Sequence, residues 1–308
     1  MIAELKLTAA ERRARLESRV ATHCVPPSIQ PFKIAVPTKS SSTKSPARLN
    51  VHFSEAAGLR HLHVGGSAIQ SAMHIDAPDD LALAYTRAMM AVLLFCPDPR
   101  DIVLIGLGGG SLAKWIYRNL PRAHTAALEV DIRVVSAAHR MFHLPLGKKR
   151  LRVIVGDGAD YVHSNPGRAD MIFLDAFVNH RQAPSIRTAD FYRSARMALK
   201  RDGVLIINFM SDDPGLRAYV NRLALAFRGR IACLRAVGED NLIVFAFADD
   251  PGVITPSSLV GRAIALQRQH GLEFRAFAER MRSPHQIRIG GRALMTEREL
   301  ARFQRLAL

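Results

Sequence analysis

The stretch IVLIGLGGGS, residues 102–111, decides the fold of this 308-residue chain. An apolar run of strand length is followed at once by a glycine-rich turn, and the helical pattern of Ser111–Asn119 begins there. Glycines at such a turn permit positive φ angles and let the main chain approach a ligand closely. The stretch therefore predicts a strand, a tight turn and a helix, with Gly106, Gly108 and Gly110 lining a nucleotide-type binding site.

Strands and helices alternate on the carboxyl side of this turn. Continuous apolar strands separated by helices are typical of a parallel sheet that is covered on both faces. The last two strands follow each other without a helix and are joined by the turn residues 238–241, which predicts a terminal hairpin. The predicted strands are Ile102–Gly108, Thr125–Asp131, Leu151–Asp157, Met171–Phe177, Val204–Met210, Arg230–Val237 and Leu242–Ala248, and the predicted helices among them are Ser111–Asn119, Arg133–Phe142, Thr188–Lys200 and Pro214–Arg228.

A mostly parallel seven-stranded sheet with an antiparallel terminal hairpin is the α/β, Rossmann-like fold of S-adenosylmethionine-dependent methyltransferases. Short segments punctuated by glycines precede it from Leu49 onward, which predicts a small N-terminal β-hairpin domain. A helix is expected after these strands, with Asp79 or Asp80 as its N-cap, running to about Phe95. The predicted organisation is a basic tail and linker at 1–48 (helical over 1–22), a β-hairpin region and helix at 49–100, an adenosyl-binding domain at 101–250, and a C-terminal helical extension at 251–308 with helices Pro256–His270, Glu273–Met281 and Thr296–Leu306.

The charge of the chain lies mostly at its two ends. The net charge is +16, and residues 1–50 and 251–308 each contribute +6. These basic segments contain no nucleic-acid motif, so nucleic acid is not the expected partner. No apolar run reaches 18 residues, and the three cysteines are scattered with no metal-ligand spacing. His139 and His143 are four residues apart on a predicted helix, a spacing that can hold a metal, but no third ligand accompanies them. We expect a cytoplasmic protein with no membrane span and no metal.

Acidic residues follow three strands that are consecutive along the chain, at the points where those strands end. Glu129 lies 21 residues beyond Gly108, where a carboxylate can accept hydrogen bonds from both hydroxyls of a ribose. Asp157, followed by Gly158, ends the third strand, where it can accept from the amino group of an adenine. Asp175 ends the fourth strand and can serve as a base or hold an amine. Ligands of open α/β sheets bind at these carboxyl ends, so the residues predict one site.

Taken in order, these residues resemble the spermidine synthase (polyamine aminopropyltransferase) family over about residues 49–250. The stretch Ala68–Ser71 is similar to the glutamine-bearing strand of the family, which implies that Gln70 faces the donor. The stretch Asp79–Tyr85 is similar to the start of its Asp-Glu…Tyr-His-Glu helix, which implies that Tyr85 contacts the substrate.

The resemblance also implies a reaction and an assembly. Glu129 would bind ribose and Asp157 would bind adenine, while Asp175 would deprotonate the attacking amine. The donor would be decarboxylated S-adenosylmethionine, the acceptor a small-molecule amine and the by-product methylthioadenosine. Members of the family usually form dimers through the N-terminal region, so a homodimer is expected.

The chain departs from the family at acidic positions. Gly109 stands where the glycine loop of the family has Asp, Thr86-Arg87 follow Tyr85 in place of His-Glu, and Val178 replaces a second Asp after Asp175. These acids would hold ammonium groups, and losing two of them weakens diamine binding by orders of magnitude. Two alternatives therefore stay open. One is a methyltransferase that uses intact S-adenosylmethionine, and the other is a non-catalytic adenosyl-binding protein.

Overall fold

Strands and helices alternate along the described part of the chain, which in this computed structural model is residues 50–146, 149–178, 181–252 and 256–305. The strands are β1 (Val51–Ala56), β2 (Leu59–Val64), β3 (Ile69–His74), β4 (Asp101–Ile105), β5 (His124–Glu129), β6 (Leu151–Val155), β7 (Ala169–Leu174), β8 (Phe177–Val178), β9 (Arg181–Gln182), β10 (Leu199–Met210), β11 (Ile231–Arg235), β12 (Asn241–Phe247), β13 (Arg288–Ile289) and β14 (Arg292–Ala293). The helices are α1 (Ala84–Met89), α2 (Ser111–Asn119), α3 (Ile132–Met141), α4 (Gly158–Ser164), α5 (Ala189–Ala198), α6 (Leu216–Ala226), α7 (Pro256–His270), α8 (Phe274–Arg280) and α9 (Glu297–Arg305), with 3-10 turns at Met90–Leu94, Pro184–Ile186 and Pro284–Gln286.

The central sheet has seven strands in the order β11-β12-β10-β7-β4-β5-β6. Strands β6, β5, β4, β7 and β10 run parallel, and β12 and β11 close the sheet as an antiparallel hairpin. Along β7, Phe173 packs into the apolar core on one face and Leu174 into the core on the other. Because both faces are covered, the strands are apolar throughout. The predicted sheet and terminal hairpin are confirmed.

A three-stranded antiparallel sheet, β1-β2-β3, precedes the central sheet, as predicted. Leu62 and Met73 anchor it in a small core with Val134 and Phe142 of the α3 region. Among the described residues no strand pairs with the outer edge of β1, which is mostly exposed. Strand β3 lies against the glycine turn, because the side chain of Ser71 is 3.6 Å from where a Cβ on Gly108 would stand.

The start of the first helix differs from the sequence expectation. Neither Asp79 nor Asp80 caps it, since α1 begins at Ala84 with Leu83 in the extended N-cap position. The guanidinium of Arg87 donates to the carbonyls of Leu81 and Ala82, which stabilises a non-helical entry. The first free N–H groups of the helix donate instead to a carboxylate from the distant β11–β12 hairpin. The prediction that Asp79 or Asp80 is the N-cap of this helix was therefore wrong.

Several other boundaries also differ from prediction. The helix α4 was not predicted, and it begins directly after Asp157, whose carboxylate caps it by accepting from the N–H of Ala159 at 2.7 Å. Helix α5 ends at Ala198 because Leu199 is extended and pairs with Ala169 of β7. The C-terminal stretch contains the predicted helices and also the small sheet β13-β14. The tail and linker predicted for 1–48 lie outside the described residues.

The turn after β4 is fixed by its contact with the next strand. Gly106 has a φ of +93°, and a Cβ there would lie 2.3 Å from the carbonyl oxygen of Asp175. The N–H of Asp175 donates to the carbonyl of Ile105 at 2.9 Å, which continues the parallel ladder to the end of both strands. Only glycine satisfies both the angle and the space at this position.

In the described part of the chain, no helix is long and apolar enough to cross a membrane.

We expect Gly106→Ala to lower the free energy of unfolding by about 3 kcal/mol or more, because it adds a backbone clash to a left-handed conformation. Gly58→Ala is the matched control, since Gly58 has a φ of +74° and nothing lies within 4 Å of its Cβ position. That variant should lose only about 1 kcal/mol. Urea unfolding of both variants measures the difference, and equal losses would contradict the close approach of Gly106 to Asp175.

Candidate active site

The predicted acids and the glycine turn lie at the carboxyl ends of four adjacent strands, β7, β4, β5 and β6. The glycine turn leaves β4, and Gly106, Gly108 and Gly110 all have positive φ angles. The backbone of Gln70, on β3, reaches the same turn, with its carbonyl oxygen 3.9 Å from a Cβ position on Gly108. On the other side Gly158 lies so close to Ile105 that a Cβ would be 2.3 Å from that side chain. The turn is thus a narrow cradle between β3 and the start of α4.

Glu129, the last residue of β5, reaches back to the glycine turn. One carboxylate oxygen accepts from the N–H of Leu107 at 3.2 Å and the other from the N–H of Asp131 at 3.1 Å. Burial raises the pKa of Glu129, and these backbone hydrogen bonds oppose the increase. A carboxylate offers about four lone-pair sites, so one held in this way can in principle accept from two neighbouring hydroxyls of a ribose.

Asp157 follows β6, the strand beside β5. Its Oδ1 caps α4, and the carboxylate retains acceptor capacity on its other oxygen. The structure therefore adds a helix-capping role that the sequence did not predict, on the same edge of the sheet as Glu129. Binding of adenine by Asp157 stays a prediction.

Asp175 follows β7 and is held by two donors from different parts of the chain. The hydroxyl of Tyr85, on α1, donates to Oδ2 at 3.1 Å. The amide of Asn208, on β10, donates to Oδ1 at 2.9 Å. The carboxylate is thereby oriented at the mouth of the sheet, with its own backbone packed on Gly106. The structure thus brings the predicted residues Tyr85 and Asp175 into direct contact.

Burial dominates the titration of this pair. Burial raises the pKa of Asp175, and the hydrogen bonds from Asn208 and Tyr85 act in the opposite direction. The pKa of Tyr85 is well above its ordinary value because of burial first and the neighbouring Asp175 second. Tyr85 is therefore a hydrogen-bond donor in the working pH range. A carboxylate with a raised pKa is a stronger base than a solvated one once it has lost its proton.

Sequence reasoning missed the polar residues behind Asp175. Asn208 is 2% exposed, and its Oδ1 accepts from the amide of Asn241 at 2.8 Å. Gln182 is also buried and donates to the backbone carbonyl of Asn208, while its own Oε1 has no partner among the described residues. The sequence signal that could have found them is a polar residue inside or beside an apolar strand. A buried amide requires hydrogen-bond partners, so such a residue indicates a polar contact within the fold. Asn208 interrupts VLIINFM and Asn241 opens NLIVFAF.

The space beside Gly109 is filled by apolar and hydroxyl groups. A Cβ on Gly109 would lie 2.9 Å from the ring of Phe142 and 2.9 Å from Oγ of Ser71. Lys114, one turn into α2 and 1% exposed, fixes this arrangement by donating to the carbonyl of Phe142 at 2.7 Å and that of Pro78 at 2.5 Å. Burial lowers the pKa of Lys114 to about 8. An aspartate at position 109 does not fit here without movement of Phe142.

A glycine cradle, an acid after the neighbouring strand and a terminal hairpin define a Rossmann-like protein of the methyltransferase fold class. A probable spermidine synthase from Corynebacterium glutamicum shares this fold, with a TM-score of 0.61 over 83% of this chain and 96% of that one at 17% identity. Human methyltransferase-like protein 13, solved in complex with SAH, is 25% identical with a TM-score of 0.52, over 61% of this chain and 90% of that one.

Sequence comparison identifies the family within this class. The profile described as "Spermine/spermidine synthase domain" matches residues 82–219. A polyamine aminopropyltransferase from Chromobacterium violaceum is 37% identical over 240 residues, which are 78% of this chain and 92% of that protein. The chain belongs to the polyamine aminopropyltransferase (spermidine synthase) family, and the resemblance read from its motifs is confirmed.

We expect Gly109→Asp to lower the free energy of unfolding by about 1–3 kcal/mol, because the new side chain overlaps Phe142 and Ser71. In a protein that already carries Phe142→Ala, the same Gly109→Asp substitution should lower the free energy of unfolding by less than it does in the wild type. A double-mutant cycle from urea unfolding measures the coupling. Additive effects of the two substitutions would contradict the filled space described here.

Proposed function

We propose that the protein transfers an aminopropyl group from decarboxylated S-adenosylmethionine to a small-molecule amine, with Asp175 as the base. The observation that carries the proposal is the Asp175 carboxylate, held by Tyr85 and Asn208 beside the glycine turn. Family membership supports the reaction class.

The donor fits the residues on the β4 and β5 side of the site. In this proposal the adenosyl moiety binds against the glycine cradle near Gly108, and Glu129 accepts the ribose hydroxyls. Asp157 accepts from the adenine amino group at the start of α4. Gln70 lies at the opposite wall, on β3, where it faces the donor. Among the described residues, no group of three or more His, Cys, Asp or Glu side chains could hold a metal ion.

The acceptor amine enters on the Asp175 side. Its nitrogen lone pair attacks the carbon beside the sulfonium, the carbon–sulfur bond breaks, and its electron pair neutralises sulfur to give methylthioadenosine. Asp175 takes the proton that the amine nitrogen loses. Holding amine and donor in line supplies most of the rate enhancement, and the base adds the remainder. Since the base must be ionised, activity rises with pH through the pKa of Asp175, which burial raises.

A paired turnover assay by mass spectrometry tests the reaction class. One sample contains decarboxylated S-adenosylmethionine and the other contains the intact compound, each with a mixture of diamines and polyamines. We expect methylthioadenosine in the first sample, and the amine that is consumed identifies the acceptor. S-adenosylhomocysteine in the second sample alone would replace the proposal with methyl transfer.

The role of Asp175 has its own test. Asp175→Asn keeps the shape of the side chain and removes the base, so we expect the turnover rate to fall about 10²- to 10⁴-fold. Binding of methylthioadenosine, measured by calorimetry, should change little because the donor half is intact. Asp202→Asn is the matched control, since Asp202 is exposed at the opposite end of β10. Full turnover by Asp175→Asn would exclude Asp175 as the base.

Methyl transfer is the second candidate, and the surroundings of Gly109 favour it. An acid at this position would repel the carboxylate of intact S-adenosylmethionine, and here Phe142 and Ser71 occupy the place of that acid. The similarity to human methyltransferase-like protein 13, whose structure holds SAH, points the same way. Release of S-adenosylhomocysteine in the assay above decides between the two donors. If neither donor turns over while both bind, the protein is a non-catalytic adenosyl-binding protein.

A homodimer formed through the N-terminal sheet is part of the proposal. The outer edge of β1, with which no described strand pairs, and the half-exposed side chains of Phe53 (44%) and Ile69 (51%) support an interface there. Light scattering should give twice the mass of one chain, and Phe53→Glu should shift the particle toward the monomer. A monomeric wild-type protein would contradict this assembly. A cytoplasmic location and the absence of a nucleic-acid partner stay predictions from the sequence.

A further inference from the structure

The β11–β12 hairpin reaches the site through two residues that lie two positions apart. Glu239 accepts from the N–H of Ala84 at 2.9 Å with one carboxylate oxygen and from the N–H of Tyr85 at 2.8 Å with the other. Asn241 donates from its amide to Oδ1 of Asn208 at 2.8 Å. Tyr85 and Asn208 are the two donors to Asp175. Each donor is thus tied to the same hairpin.

The contact of Glu239 fixes the position of α1. The first N–H groups of a helix lack intrahelical partners, and α1 has no side-chain cap from its own N-terminal residues. A carboxylate that accepts hydrogen bonds from the first two N–H groups caps the helix, and its negative charge interacts favourably with the helix dipole. Because Tyr85 is the second residue of α1, this cap sets where its hydroxyl lies relative to Asp175.

The contact of Asn241 fixes the orientation of an amide. The Asn208 side chain can turn either its oxygen or its NH₂ group toward Asp175. With the Asn241 NH₂ on one side, the Asn208 oxygen is held there and its NH₂ group must face Asp175. Asn241 is 8% exposed and Asn208 is 2% exposed, so water does not readily replace either contact.

We infer that Glu239 and Asn241 are positioning residues, which together hold the two hydrogen-bond donors of Asp175 from one hairpin. The inference rests on the proposed role of Asp175 for its kinetic consequence but not for its structural one. Among the described residues, the titratable groups that act on the Tyr85 and Asp175 pair are each other and Glu239.

The test measures the pKa of Asp175 by carbon-13 NMR of its carboxyl group, assigned by its loss in Asp175→Asn. Glu239→Ala and Asn241→Leu should each raise that pKa by about one unit, since each weakens a hydrogen bond to the ionised form. Asp240→Ala is the matched control, because Asp240 lies between the two on the same turn and is exposed. It should leave the pKa unchanged.

A second comparison separates positioning from charge. Removing the negative charge of Glu239 by itself would lower the pKa of Asp175, whereas loss of the cap raises it. Glu239→Gln loses the charge but keeps one acceptor for α1, so positioning predicts a smaller rise than in Glu239→Ala. A fall in both Glu239 variants, or no change in them and in Asn241→Leu, would overturn the inference. If Asn241→Leu does not fold, Asn241→Asp replaces it, with an oxygen in place of the NH₂ group.

The kinetic arm shows whether the proposed function fails independently. If Asp175 is the base, the acidic limb of the pH–rate profile moves to higher pH by the same amount as the NMR titration. If Asp175→Asn retains turnover, the proposed function fails, and the NMR shifts still decide whether Glu239 and Asn241 position the carboxylate. Thermal unfolding of each variant confirms that the titrations report folded protein.

Discussion

The approach of Gly106 to Asp175 constrains everything else at this end of the sheet. A carbonyl oxygen 2.3 Å from a Cβ position leaves no alternative residue and no freedom to slide β4 along β7. The glycine turn, where we propose that the donor binds, and the Asp175 carboxylate, where we propose that the acceptor binds, are therefore parts of one backbone contact. Glu129 extends that contact sideways by accepting from the N–H of Leu107. The distance between the two halves of the site is set by main-chain geometry, while the chemistry is set by the side chains attached to it.

The sequence predicted much of this arrangement because its signals are local. Apolar runs gave the strands, and the bounds of the helices Ser111–Asn119 and Pro256–His270 agree with prediction. Glu129 and Asp175 were identified as candidates because acids directly after apolar strands must lie at the edge of a parallel sheet. Where the local signal was ambiguous the prediction was wrong, as for Asp79 and Asp80, whose place as helix cap is taken by a residue 155 positions away from Ala84. The short helix α4 was missed because one strand-end acid, Asp157, also caps it.

The partners of Asp175 could not be predicted from periodicity. Asn208 and Asn241 meet only because β10 and β12 pair antiparallel in a register that places Met210 opposite Asn241. From the sequence, Asn208 lies within the apolar run of a predicted strand and Asn241 is a turn residue, and nothing relates the two until that register is known. Each buried amide requires a hydrogen-bond partner. Hydrogen bonds therefore connect Asn241 to Asn208, Asn208 to Asp175, and Asp175 to Tyr85. Glu239 belongs to the same hairpin and was read as a turn residue. The requirement of buried polar groups for hydrogen-bond partners thus links the end of the sheet to the first helix.

The packing of Phe142 on Gly109 makes the effect of a substitution at either position depend on the other. With the aromatic ring filling the space of a missing side chain, neither position changes freely. An acid introduced first meets the ring, and a smaller residue introduced first at position 142 leaves a cavity in the N-terminal core. Lys114 deepens the dependence, since its buried ammonium group is anchored on the Phe142 carbonyl. The two positions are therefore coupled through packing, and an acidic residue at position 109 of this chain requires a compensating change at Phe142.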